Sequence, residues 1–242
     1  MLGRRPYVAA EPPKSPVFFG FIEKNAPVFT EAYGNTGGID RREVFGYKCR
    51  MKTAFILTGS PRKGGVSAKM AGIFAEKWEN AAPGNRTIAI NAYRAAVRPC
   101  VHCGGCQKAP ACVFDDYAAI DSAFKAADVL LVASPVYGLG FPAPLKAVFD
   151  RTQQYFEAKF SRGVAQPVAK HKKALLFTAS GSGDPKGASF MEEELRLVFK
   201  ILNAELCGII SVLNTDRAEP DYGRVADEIA QIIAYKLGIA GR

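Results

Sequence analysis

No apolar run in this 242-residue chain approaches the roughly 20 residues needed to cross a bilayer. The longest strongly apolar run, Val129 to Ala133, is far too short, and the amino terminus lacks the unbroken apolar core of a signal peptide. A soluble, cytoplasmic protein with no membrane partner is therefore expected. Internal repeats are also missing. With 48% hydrophobic and 23% charged residues, the chain has neither a fibrous nor a disordered composition, so it should bury a real core. The net charge of +9 favours anionic partners, yet the cations are dispersed and form no basic stripe or nucleic-acid-binding motif, which argues against a nucleic-acid partner.

What is present from Lys52 onward is a regular alternation. Apolar, β-rich runs at Thr53 to Thr58, Thr87 to Ala92, Val129 to Ser134, Ala174 to Ala179 and Cys207 to Leu213 alternate with helical periodicity at Ser67 to Glu79, Tyr117 to Ala127, Pro144 to Phe156, Ala188 to Leu202 and Ala218 to Leu237. The third and fourth strands are continuously apolar, as strands covered by helices on both faces should be. The pattern predicts an α/β fold with a doubly wound, five-stranded parallel sheet over residues 51–242. Residues 1–50 break the rhythm. They hold five prolines and six glycines without a period, and read as an irregular amino-terminal extension, yet they carry eight aromatics. Because Met51 stands directly before the first strand, one reading starts the native chain there and treats the extension as an over-extended reading frame. The other lays it across the domain or a partner subunit.

The turn after the first strand reads Gly59-Ser60-Pro61-Arg62-Lys63-Gly64-Gly65-Val66-Ser67 and leads into a helix. Loop and helix amides would converge on one spot, the helix dipole favours negative charge there, and Ser60, Arg62 and Ser67 can add donors. Gly64 is followed by Gly65, not by Lys and Ser/Thr, and no Gly-x-Gly-x-x-Gly occurs, so neither a nucleoside-triphosphate loop nor a dinucleotide fingerprint is present. A monophosphate on a flat cofactor fits better. The plainer alternative is a tight turn with Ser67 capping the helix.

Cys100, Cys103, Cys106 and Cys112 crowd into thirteen residues after the second strand, before a helix that Asp115 or Asp116 would open. In a reducing compartment such crowding points to a metal, cluster or redox site and not to disulfides. Three closely spaced thiolates and a fourth suit a cubane cluster, whereas structural zinc more often uses two separated pairs. Free thiols, a redox pair or small buried hydrophobes remain open alternatives. His102 reads as a solvent-facing loop residue, Cys49 and Cys207 as structural, and His171, beside Lys170, Lys172 and Lys173, as part of a solvated charged approach to the fourth strand.

Three stretches occurring in order carry a resemblance: Thr58-Gly-Ser-Pro-Arg-x-x-Gly, the cysteine run with Asp115-Asp116, and Ser134-Pro-Val-Tyr137 followed by Pro144-Leu-Lys-x-x-x-Asp150-Arg151. Over residues 51–242 the chain resembles the flavodoxin-like NAD(P)H-dependent FMN reductases, nearest the iron-sulfur flavoproteins. The resemblance implies strand order 2-1-3-4-5 and FMN as cofactor, its phosphate held by Ser60, Arg62, Gly64 and Ser67. It places the ring against Pro135, Val136, Tyr137 and Gly138 and against Ser180, Gly181, Ser182 and Gly183, at the switch point where such sheets bind ligands. Taken alone, those two loops would read as plain turns. The resemblance also implies a [4Fe-4S] cluster on Cys100, Cys103, Cys106 and Cys112, although the chain lacks the proline that follows the last cysteine of bacterial ferredoxins.

The expected activity is an FMN oxidoreductase that passes electrons from NAD(P)H or a reduced protein to a quinone, flavin or other small acceptor. A flavodoxin-like electron carrier serving a ferredoxin-type protein is the alternative, and a homodimer or homotetramer is implied by the resemblance. No acid-base triad is expected, and no catalytic side chain is named, because the cofactor carries the chemistry.

Overall fold

The computed structural model describes residues 51–239. The expectations for residues 1–50, including the irregular extension and Cys49, lie outside the described residues. Five strands, β1 (Thr53–Thr58), β2 (Arg86–Asn91), β3 (Val129–Pro135), β4 (Lys172–Ala179) and β5 (Ala204–Val212), form one parallel sheet in the order β2-β1-β3-β4-β5. Helix α1 (Val66–Ala81) follows β1. Between β2 and β3 lie α2 (Ala92–Ala95), α3 (Gly105–Lys108) and α4 (Ala118–Ala126). Helices α5 (Ala143–Asp150) and α6 (Gln153–Phe160) precede β4, α7 (Lys186–Ile201) precedes β5, and α8 (Tyr222–Gln231) follows it, ending in a π-helical turn at Ile232–Lys236. The expected fold class is thus the observed one.

The middle strands carry consecutive apolar residues, Ala54 to Leu57, Val129 to Ala133 and Ala174 to Phe177, because each face meets its own core. Phe55 and Leu57 of β1 pack with Phe124 of α4, Leu145 of α5 and Leu195 and Phe199 of α7. Ala54 and Ile56 pack on the other face with Met70, Phe74 and Trp78 of α1 and Ile229 of α8. Two ring contacts join that second core: Phe74 stacks on Trp78 at 6.0 Å and meets Phe177 of β4 edge-on at 6.1 Å between centroids. The edge strands β2 and β5 are only partly buried. Among the described residues no helix is long and apolar enough to cross a membrane.

Several boundaries differ from the periodicity. The single helix expected from Pro144 to Phe156 is broken after Asp150. Thr152 turns its hydroxyl onto the Phe149 carbonyl at 2.7 Å, and the backbone closes as tight three-residue turns there. The helices α2 and α3 escape a periodicity search because one turn carries no period. Neither Asp115 nor Asp116 opens α4; its cap position is Tyr117, without a side-chain bond. Helix α8 starts only at Tyr222, where the Asp221 side chain accepts the Arg224 N–H at 3.0 Å.

The charged approach to β4 is not uniformly solvated. His171 is exposed, but β4 begins at Lys172, whose pairing with Ala204 turns its side chain inward. The ammonium donates to the carbonyls of Lys170 at 2.5 Å and Leu202 at 3.3 Å, and burial pulls its pKa down to about 8. Cys207 is half-buried, with Sγ 3.5 Å from the Ala174 carbonyl, as a structural cysteine should be.

Phe74 is fully buried at the junction of α1 and β4, so Phe74→Ala should lose about 3–5 kcal/mol. Leu197→Ala, on the exposed face of α7, should stay within about 0.5 kcal/mol of the wild type. Urea unfolding of both variants checks the contrast.

Candidate functional site

The loop from β1 into α1 is shaped by close approach and by its own hydroxyl. Gly59 donates its N–H to the Ala133 carbonyl at 2.8 Å, and a Cβ there would stand 2.6 Å from Leu145 Cδ2 and 2.9 Å from Ser134 Oγ. Only glycine lets β1 end so tightly against β3 and α5. The buried Ser60 folds the turn: its hydroxyl accepts the Arg62 N–H at 3.2 Å and donates to the Arg62 carbonyl at 3.0 Å. From β2, Asn91 Nδ2 donates to Thr58 Oγ1 and to the Ser60 carbonyl, fixing the loop from its other side.

The cap of α1 is Gly65, without a side-chain bond, and not Ser67. Ser67 is the second residue of the helix, buried within its first turn. The first amides of α1 therefore receive no side-chain acceptor, and this is the condition under which a helix amino terminus binds an anion. No acidic residue stands in that first turn, and the Arg62 guanidinium has no carboxylate partner among the described residues.

These amides open into a cleft with a cavity volume of about 330 Å³. Of the residues expected to hold the phosphate, Ser60, Arg62, Gly64 and Ser67 all line it. Of those expected at the ring, Pro135, Val136, Tyr137 and Gly181 line it as well. Gly138 stands beside it in the turn that Tyr137 and Gly140 close by paired backbone bonds, with φ at 54°. Ser180 is engaged in the sheet, donating to the Val212 carbonyl. The Ser182 hydroxyl accepts the Asp184 N–H, and Gly183 lies against Asn214, so these three belong to the loop without lining the cleft.

One wall is absent from the sequence reading. The loop after β5 bonds to the loop after β4 through Asn214 N–H to Ser182 O and Thr215 N–H to Ser180 O, both at 3.0 Å. This brings Thr215, Asp216, Glu219 and Tyr222 to the cleft. Lys69 of α1 closes the ring of contacts, pairing with Glu219 at 3.3 Å and standing 4.8 Å over the Tyr222 ring. Its hydrogen bond to Glu219, and then Tyr222, push its pKa up. The missed segment reads in sequence as an ordinary polar loop running into a helix, and only strand adjacency betrays its place at the cleft.

All four clustered cysteines line a second, small cavity of about 20 Å³, with His102, Phe114, Arg151 and Glu157 also in its wall. Cys103 is exposed, and Cys100, Cys106 and Cys112 are half-buried. Burial pushes the Cys106 thiol up, and the nearby Glu157, Cys112 and Cys100 add to this. His102 is exposed, at φ 50°, consistent with a loop residue that faces solvent. The donor set is chemically suited to a cluster. As the side chains stand, though, no group of three or more His, Cys, Asp or Glu among the described residues converges enough to hold a metal ion.

The foot of this loop is ionic. Asp116 Oδ1 accepts Arg151 Nη1 at 2.8 Å, and its Oδ2 accepts the Arg98 backbone N–H at 2.9 Å and Nε at 3.0 Å. Burial alone would raise the Asp116 carboxyl, but these bonds hold it below its ordinary value. Such a depressed carboxyl contributes stability that is complete above the unfolded value of about 3.9 and is lost as pH falls through the lower folded value. Asp116→Asn should therefore lose about 1.5–3 kcal/mol at pH 7, with the gap to wild type closing towards pH 3. Urea unfolding at both pH values measures it.

A family model described as NADPH-dependent FMN reductase matches residues 51–214. An iron-sulfur flavoprotein of Methanosarcina thermophila is 39% identical over 97 residues, covering 40% of this chain and 50% of that one. An FMN-dependent NADH:quinone oxidoreductase 2 of Idiomarina loihiensis is 35% identical over 92 residues, covering 34% of this chain and 38% of its own. The chain thus spans half or less of the length of these curated relatives. Among solved structures, an NAD(P)H:quinone oxidoreductase from Methanothermobacter marburgensis superposes with a TM-score of 0.56 at 18% identity, over 75% of this chain and 94% of that one, and so shares the fold.

Proposed function

The chain belongs to the NADPH-dependent FMN reductase family, and from that premise we propose that it is an FMN-dependent oxidoreductase, taking electrons from NAD(P)H and passing them to a small quinone-type acceptor. The observation that carries this reading is the uncapped amino terminus of α1, which opens, with Arg62 and Lys69 beside it, into the same cleft as the loops after β3 and β4.

The residues divide the work by position. The α1 amides, the Ser67 hydroxyl and Arg62 would hold a phosphate dianion, where charge-assisted bonds are strongest, while Ser60 shapes the turn that presents them. Lys69, kept charged by Glu219, adds a third cationic or amphipathic wall without having to desolvate alone. Pro135, Val136 and Tyr137 on one side and the Gly181 backbone on the other bound the flat part of the cleft. Bound there, FMN would supply hydride uptake and its release as single electrons or as a pair. The side chains in the cleft orient and anchor the cofactor.

The four cysteines around one cavity suggest a second element, a [4Fe-4S] cluster on the loop between β2 and β3, and the Methanosarcina relative is described as an iron-sulfur flavoprotein. Iron and acid-labile sulfide measured on oxygen-free protein decide it: fewer than about three irons per chain after anaerobic reconstitution removes the cluster from the reading.

Purified protein, or protein soaked in excess FMN, should show a bound-flavin spectrum and oxidise NAD(P)H with a quinone acceptor at steady state. No bound flavin overturns the proposal. Bound flavin with no turnover on any small acceptor, but fast exchange with a reduced ferredoxin, assigns an electron carrier instead. Arg62→Gln should weaken FMN binding about 10-fold or more, the loss of one charge-assisted contact, while leaving riboflavin binding little changed. Fluorescence-quenching titrations with the two flavins check this.

A further inference from the structure

Arg151 is the most deeply buried cation of the described residues outside β4, 2% exposed at the break between α5 and α6. Together with Asp116 it is one of the residues that marked the sequence, and the reading of the cleft gives neither a task. Its guanidinium reaches three separate points of the segment that contains the cysteines. Nη1 donates to the Arg98 carbonyl at 3.0 Å and to Asp116 Oδ1 at 2.8 Å, and Nη2 donates to the Phe114 carbonyl at 3.3 Å. Arg98 lies just before Cys100, and Phe114 and Asp116 lie just after Cys112. Asp116 completes the closure by accepting from Arg98 at both its backbone and side-chain nitrogens.

We infer that Arg151 is the positioning residue of the cysteine loop: it staples the entry at Arg98 to the exit at Phe114 and Asp116, so that the four thiols stand around one cavity. The inference does not depend on what the flavin cleft binds. Three observations support it. Between those two points the chain has little structure of its own, with α3 only four residues long, so the loop relies on its ends being held. Aromatic faces line the contact: Arg98 and Arg151 stand over the Phe114 ring at 4.1 Å and 5.3 Å, and Arg151 stands over the Tyr117 ring at 5.3 Å. A forked, flat guanidinium satisfies two carbonyls, a carboxylate and two ring faces at once, which a lysine ammonium cannot do. Finally, Arg151 lines the cysteine cavity and its buried Nε is the one nitrogen of the guanidinium left without a partner. The staple is therefore part of the cavity wall and not a remote prop.

The test uses the full chain with reduced thiols and three variants, Arg151→Met, Arg151→Lys and Asp116→Asn. Hydrogen exchange is followed by mass spectrometry over residues 98–117, and iodoacetamide labelling of each cysteine is timed at one pH. In wild type the exposed Cys103 should label faster than Cys100, Cys106 and Cys112. In Arg151→Met, exchange over residues 98–117 should rise about 10-fold or more and the four labelling rates should converge, while β1 and β3 keep their protection. Arg151→Lys should behave like the methionine variant, and Asp116→Asn should move in the same direction. Wild-type exchange and labelling order in a folded Arg151→Met or Arg151→Lys variant overturns the inference, as does a rise shared equally by β1 and β3, which would make Arg151 a general packing residue. Should Arg151→Met fail to fold, Arg151→Lys and Asp116→Asn decide by the same criteria.

Discussion

The amides that open α1 find no side chain to accept them, and the cleft is built around that deficit. Gly65 occupies the cap position, Ser67 is buried within the first turn, and the loop ahead of them spends the Ser60 hydroxyl on its own turn. In a buried helix start such donors would be costly; here they face an open cleft, where an anion satisfies them at no structural expense. The strand order makes this placement available. β1 and β3 are neighbours, but the segments leaving them pass to opposite faces, so their carboxyl ends part and leave room between the loops.

The same principle of shared ends explains the outer wall. The loops after β4 and β5 are tied by two backbone bonds because the strands they leave are themselves paired to their last residues. Through that tie Glu219 and Tyr222 reach Lys69 of α1, on the other side of the cleft. An ion pair this exposed contributes little to stability. Its consequence is positional, since it keeps an ammonium at the rim of a site that otherwise relies on Arg62 alone for full positive charge.

The cysteine loop answers to a different device. Instead of secondary structure it has a buried guanidinium at its root, so its shape depends on one side chain from the α5–α6 break. The staple comes from the last turn of α5: Arg151 keeps its helical bond to the Ala147 carbonyl, and the Thr152 hydroxyl closes the chain onto the Phe149 carbonyl directly after it.

Much of this architecture is legible in the residues themselves. Strands with consecutive apolar residues require helices on both faces, and an alternation of two periods requires crossovers, so the doubly wound sheet follows from local chemistry. The glycine- and hydroxyl-rich turn after β1 and the spacing of four thiols are equally local, and their residues meet in one cleft and around one cavity. Thr215, Asp216, Glu219 and Tyr222 could not be read that way, because they come to the cleft through the pairing of β4 with β5, a contact between segments with no common pattern, and Lys69 of α1 joins the wall only through its partners there. The task of Arg151 was hidden for the same reason: a charge within an apparently helical stretch looks solvated until the fold buries it. Periodicity and turn chemistry act over a few residues and so settled the elements and the anion-ready turn, whereas which charges are buried and which loops share a wall depend on long-range packing, and only the tertiary structure decided them.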